Sequence, residues 1–378
     1  MPRLEIDLEK LQYNTRTLVD RLATKGISVT GVTKVALGSP EVAQAMLLAG
    51  VDSLGDSRIE NIQKMREAGV VAKFILLRSP LMSQVEQVVL HADVSFNTEI
   101  SVVGHLSLVA AKANKTHQIV LMIELGDLRE GILPADLEST VRHILQFPAI
   151  QLVGLGANFA CFGGVKPNDE KMRQLSYLAQ GIEQQFDLKL DLVSGGNSAN
   201  LQWAWECADS GAINNLRLGE SIFLGCDPLH RQPIEGLHQN ALTLVAEVIE
   251  SKVKPSLPSG EQCQTAFGTR PNFTDRGQRH RAILGIGRQD VDIAGLTPLT
   301  KGLEILGGSS DHLLVDCHRH PLFVGEEVRF QLNYSALLSA MTSPHITKTL
   351  LSSDQPPVLV PLRKFVPSTG LLPEFQAV

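Results

Sequence analysis

The sequence has few cysteines, and none of them is spaced as a metal-binding pair. Its five cysteines are odd in number and scattered, and no two form a Cys-x-x-Cys pair. Neither a disulfide framework nor a thiolate zinc site is therefore indicated, and no metal is expected. A reducing compartment, most simply the cytoplasm, fits this pattern.

Long apolar runs and an excess of positive charge are also missing. No window reaches the roughly 18 consecutive apolar residues of a membrane span. The segment 1–19 alternates charged with apolar residues, unlike a signal peptide. The formal net charge of −6 gives no basic surface for nucleic acid or for an anionic membrane. Neither nucleic acid nor a membrane is therefore an expected partner, and a small molecule is.

The size and composition of the chain indicate two globular domains. Hydrophobic residues make up 43% and charged residues 20% of the chain, which is ordinary for a folded protein. Its 378 residues exceed what one packed core usually supports. We expect a first domain over residues 1–235 and a mainly-β C-terminal domain over 236–378, whose proline-rich end forms an extended arm.

Eight short β-branched runs alternate with helical patterns between residue 27 and about residue 225. Each run is separated from the next by room for a helix, which is the rhythm of an α/β fold of the (β/α)8 TIM-barrel type. An open doubly wound sheet is the alternative. The predicted strands lie in 27–34, 51–57, 72–79, 92–98, 117–127, 150–160, 190–199 and 213–223.

Almost every predicted strand ends on polar side chains, and the first ends on Lys34. In a barrel these ends meet at the C-terminal rim, where the active sites of this fold lie. A lysine that loses solvation there becomes neutral more readily and can attack an aldehyde to form a Schiff base. The alternative is a rim lysine that pairs with a nearby carboxylate such as Asp56.

Two glycine-containing turns follow the seventh and eighth predicted strands. They read SGGNSANL over 194–201 and RLGES over 217–221. Backbone N–H groups and a hydroxyl in such turns can bind an anion, and a phosphate held between these two strands recurs in barrel enzymes. A lysine on the first strand and a phosphate site on the last two together predict pyridoxal 5'-phosphate bound across the barrel mouth.

Several spaced motifs resemble the alanine racemase family of pyridoxal-phosphate enzymes. They are IDLEKLQYN, VTKV, GDLREGI, GGNSANL and LRLGESIFLG, followed by a β domain. The motifs GVDSLGDSRIEN, AFGTRPNFTDRG and LGGSSDHLLVD look more like the ornithine racemase branch. The resemblance covers nearly the whole chain. It implies a racemase of a free amino acid, ornithine or another basic one, that works as a homodimer with shared active sites.

The resemblance also assigns roles to individual residues. Lys34 would bind the cofactor covalently and act as one of two bases, Arg217 would face the pyridine nitrogen, and Tyr334 would reach the phosphate. Arg129 would lie near the ring hydroxyl and the substrate carboxylate. The other expected cofactor-binding residues are Asn158, Asn197, Ser198, Gly219 and Glu220. Tyr334 as a core aromatic residue and Arg129 as a surface ion pair are the alternatives.

The substrate is expected to meet residues of the second domain as well. The backbone of Ser310 matches a carboxylate-binding turn contributed by the other subunit. Carboxylates of this domain, Asp290 among them, are candidates for binding a cationic substrate side chain.

Arg217 indicates which reaction the cofactor supports. A guanidinium stays protonated at working pH, so the pyridine nitrogen that faces it stays unprotonated. The ring is then a weaker electron sink, which disfavours transamination and suits quick removal and return of the Cα proton. Racemisation is favoured over decarboxylation.

Racemisation needs a base on each face of Cα, and the family's second base is missing. The family uses a tyrosine of the partner subunit, but the matching position here is Phe267, and Asn158 replaces the histidine that supports the tyrosine. The chain has only three tyrosines. Our prediction for the second base is Asp311, which adjoins the carboxylate-binding turn and would need a pKa raised by burial. The other candidates are Asp290, Asp292 and His312.

Two other functions remain open at this point. A non-enzymatic pyridoxal-phosphate carrier would share the barrel motifs but would not need a second domain. A lyase or decarboxylase on the same scaffold would explain why Phe267 occupies the tyrosine position.

Overall fold

The computed structural model describes residues 1–270, 272–318 and 321–352, together with the backbone of 355–360. The predicted proline-rich arm lies outside the described residues except for the backbone of its first strand. None of the helices in the described part is both long and apolar enough to cross a membrane.

The barrel is closed by eight parallel strands, which confirms the predicted TIM-type fold. Its first strand pairs with its last, Ser28 lying opposite Asn215, so the sheet has no free edge. Every predicted run contains one of these strands. They are β2 (Ser28–Val32), β3 (Ser53–Asp56), β4 (Phe74–Leu76), β5 (Val94–Asn97), β6 (His117–Met122), β7 (Ile150–Gly156), β8 (Leu192–Asn197) and β9 (Asn215–Leu218).

Helices cover the outside of the barrel and begin at residues suited to that position. The carboxylate of Asp7 accepts from the backbone N–H of Lys10 at 3.1 Å and so caps the first helix, whose inner face buries Leu11 and Leu18. The helices of the barrel are α1 (Leu8–Ala23), α2 (Pro40–Leu48), α3 (Ile59–Glu67), α4 (Val85–His91), α5 (Ile100–Lys112), α6 (Leu137–Ile144), α7 (Asp169–Phe186), α8 (Leu201–Glu206) and α9 (Glu220–Leu224).

The C-terminal domain is built on a largely antiparallel nine-stranded sheet, as predicted. It also carries one helix, α10 (Tyr334–Thr342). Its strands are β1 (Arg3–Asp7), β10 (Leu242–Pro255), β11 (Gln278–Leu284), β12 (Leu296–Pro298), β13 (Glu304–Gly308), β14 (Leu313–Asp316), β15 (Glu327–Leu332), β16 (Thr347–Ser352) and β17 (Gln355–Val360).

The N-terminal strand β1 belongs to this second sheet and not to the barrel. It runs antiparallel to β10 and parallel to β16, with Leu4 opposite Leu244 and Lys348. The chain therefore starts in the C-terminal sheet and enters the barrel through α1. This connection joins the C-terminal sheet to the barrel, and Tyr334 of α10 lies beside the barrel mouth.

Candidate active site

A cavity of about 540 Å³ opens at the C-terminal rim of the barrel and is bordered by α10. The ends of the barrel strands supply most of its wall, as expected for this fold. Every residue predicted to bind the cofactor lines it: Lys34, Arg129, Asn158, Asn197, Ser198, Arg217, Gly219, Glu220 and Tyr334.

Lys34 is exposed in this cavity and has no ion pair in the described part of the chain. Its Nζ lies 5.6 Å from the ring centroid of Tyr334. The alternative pairing with Asp56 does not form, because Asp56 is buried and accepts from Thr33 Oγ1 at 2.8 Å and from the backbone N–H of Arg58 at 2.9 Å. The sequence predicts that Lys34 loses solvation at the rim. This prediction is wrong for the single chain, because the Lys34 side chain is exposed.

Arg217 is a buried cation that lacks a carboxylate partner among the described residues. It is 5% exposed, and it donates to Ser194 Oγ at 2.6 Å and to the carbonyl of Ala157 at 2.8 Å. Burial lowers the pKa of Arg217 to about 9, so the guanidinium keeps its proton at neutral pH. Two of its five N–H groups are accounted for, and the side chain lines the cavity, where a ligand acceptor would compensate the buried charge.

Ser198 joins the turns that follow β8 and β9. Its Oγ accepts from the backbone N–H of Ser221 at 3.2 Å and from the Ser221 hydroxyl at 3.0 Å, which leaves its own hydrogen for a ligand acceptor. A Cβ at Gly219 would lie 3.2 Å from the Cβ of Val32 and would crowd the wall. The pair of turns thus forms a small polar recess of the size and chemistry that suit a phosphate.

Arg129 is held by three neighbours on the opposite side of the mouth. It makes a paired contact with the carboxylate of Glu130, and its Nη1 donates to Cys161 Sγ at 3.3 Å. The side-chain amide of Asn158 lies 3.1 Å from the same Nη1 and 3.1 Å from Asn197 Nδ2. Burial lowers the pKa of Arg129, but the contact with Glu130 outweighs burial and the pKa is raised.

Asp127 ties the loop of Arg129 to the loop of Cys161. Its buried carboxylate accepts from the backbone N–H groups of Cys161 at 3.2 Å, Phe162 at 3.1 Å and Val165 at 3.3 Å. Gly131 lies against the backbone within the first of these loops, since at its φ of +154° a Cβ would lie 2.3 Å from the backbone nitrogen of Glu124. The three hydrogen bonds to Asp127 join the two loops into one wall of the cavity.

Three of the predicted residues are not brought to the cavity of their own chain. Asp290 is buried in the C-terminal domain, where it accepts from Ser343 Oγ at 3.0 Å. Ser310 and Asp311 lie on an exposed turn, and the Asp311 carboxylate contacts Ser309 Oγ at 3.2 Å and His312 Nδ1 at 2.9 Å. Their predicted roles depend on a second subunit and stay predictions.

The cavity carries more positive than negative charge. Lys34, Arg78, Arg129 and Arg217 face two carboxylates, those of Glu130 and Glu220, and Glu220 forms an ion pair with Arg231. This balance suits a ligand with more than one anionic group, such as a phosphate together with a carboxylate.

Residues 6–227 match the model of the alanine racemase N-terminal domain, which is more than half of the chain. The chain belongs to the alanine racemase family. Two curated relatives resemble it over nearly its whole length. A lysine racemase of Thermotoga maritima is 40% identical and spans 92% of this chain and 98% of its own. An ornithine racemase of Acetoanaerobium sticklandii is 38% identical and spans 93% and 99%.

Solved structures confirm the fold. An alanine racemase from Clostridium difficile 630 superposes with a TM-score of 0.72 at 16% identity, covering 95% of this chain and 97% of the other. A D-threonine aldolase from Filomicrobium marinum superposes with a TM-score of 0.69 at 16% identity, covering 90% and 88%. At these identities the superpositions show the fold alone.

Four further residues at or beside this cavity are assigned by the structure and not by the sequence. Arg78 and Asp127 lie near the ends of predicted strands, which indicates a polar rim but no particular role. Glu130 adjoins Arg129 in the sequence, but the sequence alone does not show that the two side chains pair with each other. Nothing in the pattern marks Cys161, because its position depends on how the loop after β7 turns.

Phe267 lies on the loop between β10 and β11, outside the cavity of its own chain. Its ring is 44% exposed and stacks under the guanidinium of Arg288, whose carbon lies 4.5 Å from the ring centroid. Its N–H contacts Thr265 Oγ1 at 3.3 Å. This position offers no acid or base, so a second base must come from another residue.

Proposed function

We propose that this protein is a pyridoxal-phosphate-dependent racemase that interconverts the L and D forms of a basic amino acid, with ornithine or lysine as the first candidates. The observation that carries the proposal is that Lys34, which forms no ion pair with any described residue, faces the same cavity as Arg217 and Ser198. The relatives at about 40% identity support the reaction class, since they are named as a lysine racemase and an ornithine racemase.

The residues of the cavity fit pyridoxal phosphate. The amine of Lys34 would join its aldehyde, Arg217 would donate to its ring nitrogen, and the turns of Ser198 and Gly219 would receive its phosphate, with Tyr334 beside them. Arg129 would lie near the ring hydroxyl. When bound, the cofactor withdraws electrons from Cα and so makes the Cα–H bond acidic.

The charge of Arg217 favours racemisation among the reactions that begin by loss of the Cα proton. Because its pKa of about 9 keeps it cationic at neutral pH, it cannot accept a proton from the ring nitrogen it faces. With its ring nitrogen unprotonated, the cofactor would be a weaker electron sink, which would favour return of the proton to Cα over reaction of other bonds. Lys34 is the base on one face of Cα.

Arg129 is the proposed anchor of the substrate carboxylate. Its guanidinium is already oriented by Glu130 and Asn158, so less conformational freedom is lost when a substrate binds. Because Nε and Nη2 already donate to Glu130 and Nη1 donates to Cys161, the substrate carboxylate would accept from the N–H groups that remain on Nη1 and Nη2.

We further propose that two copies of the chain share their active sites and that the protein works in the cytoplasm. The exposed turn of Ser310 and Asp311 would reach the cavity of the partner and contribute a backbone N–H and a carboxylate. The carrier and lyase alternatives are not favoured, because both relatives that span the whole chain are named as racemases.

The test is exchange of the Cα hydrogen in deuterium oxide, followed by proton NMR. Both enantiomers of ornithine, lysine, arginine, alanine and serine are offered to the cofactor-loaded protein. We expect exchange with inversion, fastest for ornithine or lysine, and no reaction in Lys34→Ala. Absence of exchange with all five amino acids would refute the function, and release of carbon dioxide or an aldehyde would indicate a decarboxylase or lyase.

A further inference from the structure

We propose that the thiol of Cys161 is the second base of the racemisation, acting on the face of Cα opposite to Lys34. The inference rests on the proposed racemase function. It starts from the gap left by Phe267, which cannot accept a proton.

The lining of the cavity leaves few candidates for a second base. Arginines do not release a proton, and the serine hydroxyls of the lining are much weaker acids than a thiol. The ionisable side chains that remain in the described lining are Lys34, Glu130, Cys161, Glu220 and Tyr334. Glu130 is paired with Arg129, and Glu220 is paired with Arg231 at the phosphate side. Tyr334 lies beside Lys34 and therefore on the same side of the substrate. Cys161 remains.

Cys161 lies across the barrel mouth from Lys34. Lys34 follows the first strand of the barrel and Cys161 follows the sixth, so the two approach the cavity from different sides. Ala160 turns the chain through a left-handed conformation with a φ of +49°, and Asp127 holds the N–H of Cys161. A non-glycine residue is strained in that conformation, and the hydrogen bonds of the loop offset the strain.

The contact with Arg129 relates the thiol to the substrate. Cys161 Sγ lies 3.3 Å from Arg129 Nη1, the proposed carboxylate anchor. Because Cα is bonded directly to the carboxylate carbon, a carboxylate held by Arg129 brings Cα close to the sulfur.

The proton transfer balances without a further reactant. Cys161 acts in its thiolate form: the Cα–H bond of one enantiomer breaks as an S–H bond forms, and the electron pair of the C–H bond stays on Cα, where the bound cofactor would stabilise it. An N–H bond of Lys34 then breaks as a Cα–H bond forms on the other face, which gives the opposite enantiomer. The reverse reaction uses the same two groups in exchanged roles.

Asp311 is less suited to this role in the structure. Burial raises its pKa, but the hydrogen bonds from Ser310 and Ser309 and the neighbouring His312 together outweigh burial, so the pKa of Asp311 is lowered. A lowered pKa makes a weaker base, contrary to the expectation from the sequence.

The decisive variant is Cys161→Ala, measured by Cα deuterium exchange of each pure enantiomer. We expect racemisation to fall by about 100-fold or more in both directions. One enantiomer should still exchange its hydrogen without inverting, because Lys34 removes and returns a proton at its own face. Cys161→Ser should behave alike, and Cys226→Ser, which removes a thiol outside the cavity lining, should match the wild type.

A second readout does not use the reaction. Alkylation with iodoacetamide, located by peptide mass spectrometry, should modify Cys161 in the cofactor-loaded protein and should slow when ornithine or lysine fills the cavity. If Cys161→Ala racemises within about threefold of the wild type, or if Asp311→Asn alone shows the one-sided exchange, the assignment is overturned. If the wild type itself shows no exchange, the proposed function fails first.

Discussion

Glu130 determines how firmly the guanidinium of Arg129 is held. In Glu130→Gln one oxygen becomes an NH2 group that faces the N–H groups of Arg129, so one charged hydrogen bond is lost. Such a bond contributes about 1.5 kcal/mol, so we expect the KM for the amino acid to rise about 10-fold with a smaller change in kcat.

The matched control for this variant is Glu138→Gln. Glu138 pairs with Arg142 on an exposed helix surface at 2.8 Å, away from the cavity, so its KM should not change. Steady-state kinetics on the three proteins checks the prediction, and equal KM values for all three would contradict it.

His117 makes the stability of the fold depend on pH. It is buried at the start of β6 within 2.8 Å of Ser95 Oγ, and burial lowers its pKa from 6.5 to about 4. The unfolded chain therefore takes up a proton first as the pH falls. Above about pH 6.5 the folded protein keeps its full stability. As the pH falls towards 4, His117 lowers the free energy of unfolding by at most about 3 kcal/mol.

His117→Gln should remove this pH dependence. We expect the free energy of unfolding in urea to fall less between pH 7 and pH 4.5 in the variant than in the wild type. His105→Gln, at an exposed position of α5, should keep the wild-type slope. If His117→Gln follows the wild-type curve, His117 does not carry the dependence.

At the scale of residues, the sequence predicts side chains that directly follow strands. Lys34, Ser198 and Arg217 could be assigned because a barrel brings all its strand ends to one rim. Cys161 and Glu130 could not, because their positions depend on loop contacts made by Asp127 and on the backbone of Gly131. The exposure of a site residue could not be predicted either, because Lys34 was expected to be desolvated and its side chain is exposed.

At the scale of elements, Asp127 joins the loop after β6 to the loop after β7. Asp127→Asn replaces one acceptor oxygen by an NH2 group that faces backbone N–H donors. We expect the amides of Cys161, Phe162 and Val165 to exchange hydrogen about 10-fold faster or more. Hydrogen-exchange mass spectrometry of this segment checks the prediction, and the variant Asp136→Asn at an exposed position is the control. Unchanged exchange in Asp127→Asn would show that Asp127 does not hold the loop.

The order of the barrel strands could be predicted, but the position of β1 could not. Strand and helix alternate regularly from residue 27 onwards, and a parallel barrel requires that alternation. By contrast, β1 pairs with residues about 240 and 345 positions away along the chain, and no local pattern signals such partners. The segment RLEID reads only as a short strand before a helix.

At the scale of the whole molecule, β1 should make the barrel and the C-terminal sheet unfold together. Leu4 is fully buried in the second sheet, so Leu4→Ala should lower the free energy of unfolding by about 2–5 kcal/mol. Both tryptophans lie in the barrel, on α8, so tryptophan fluorescence reports the barrel alone. We expect their transition to shift with that of circular dichroism.

The exposed Leu48→Ala on α2 is the control and should change little. If Leu4→Ala left the fluorescence transition in place while the circular dichroism transition shifted, the two domains would unfold independently.

The covalent bond between Lys34 and pyridoxal phosphate is the central claim, and reduction with borohydride followed by peptide mass spectrometry tests it most directly. We predict that the cofactor-loaded protein carries the reduced pyridoxyl mass on the peptide of Lys34, and that Lys34→Ala carries it nowhere. A label on another lysine of the wild type, or no label at all, would contradict the account.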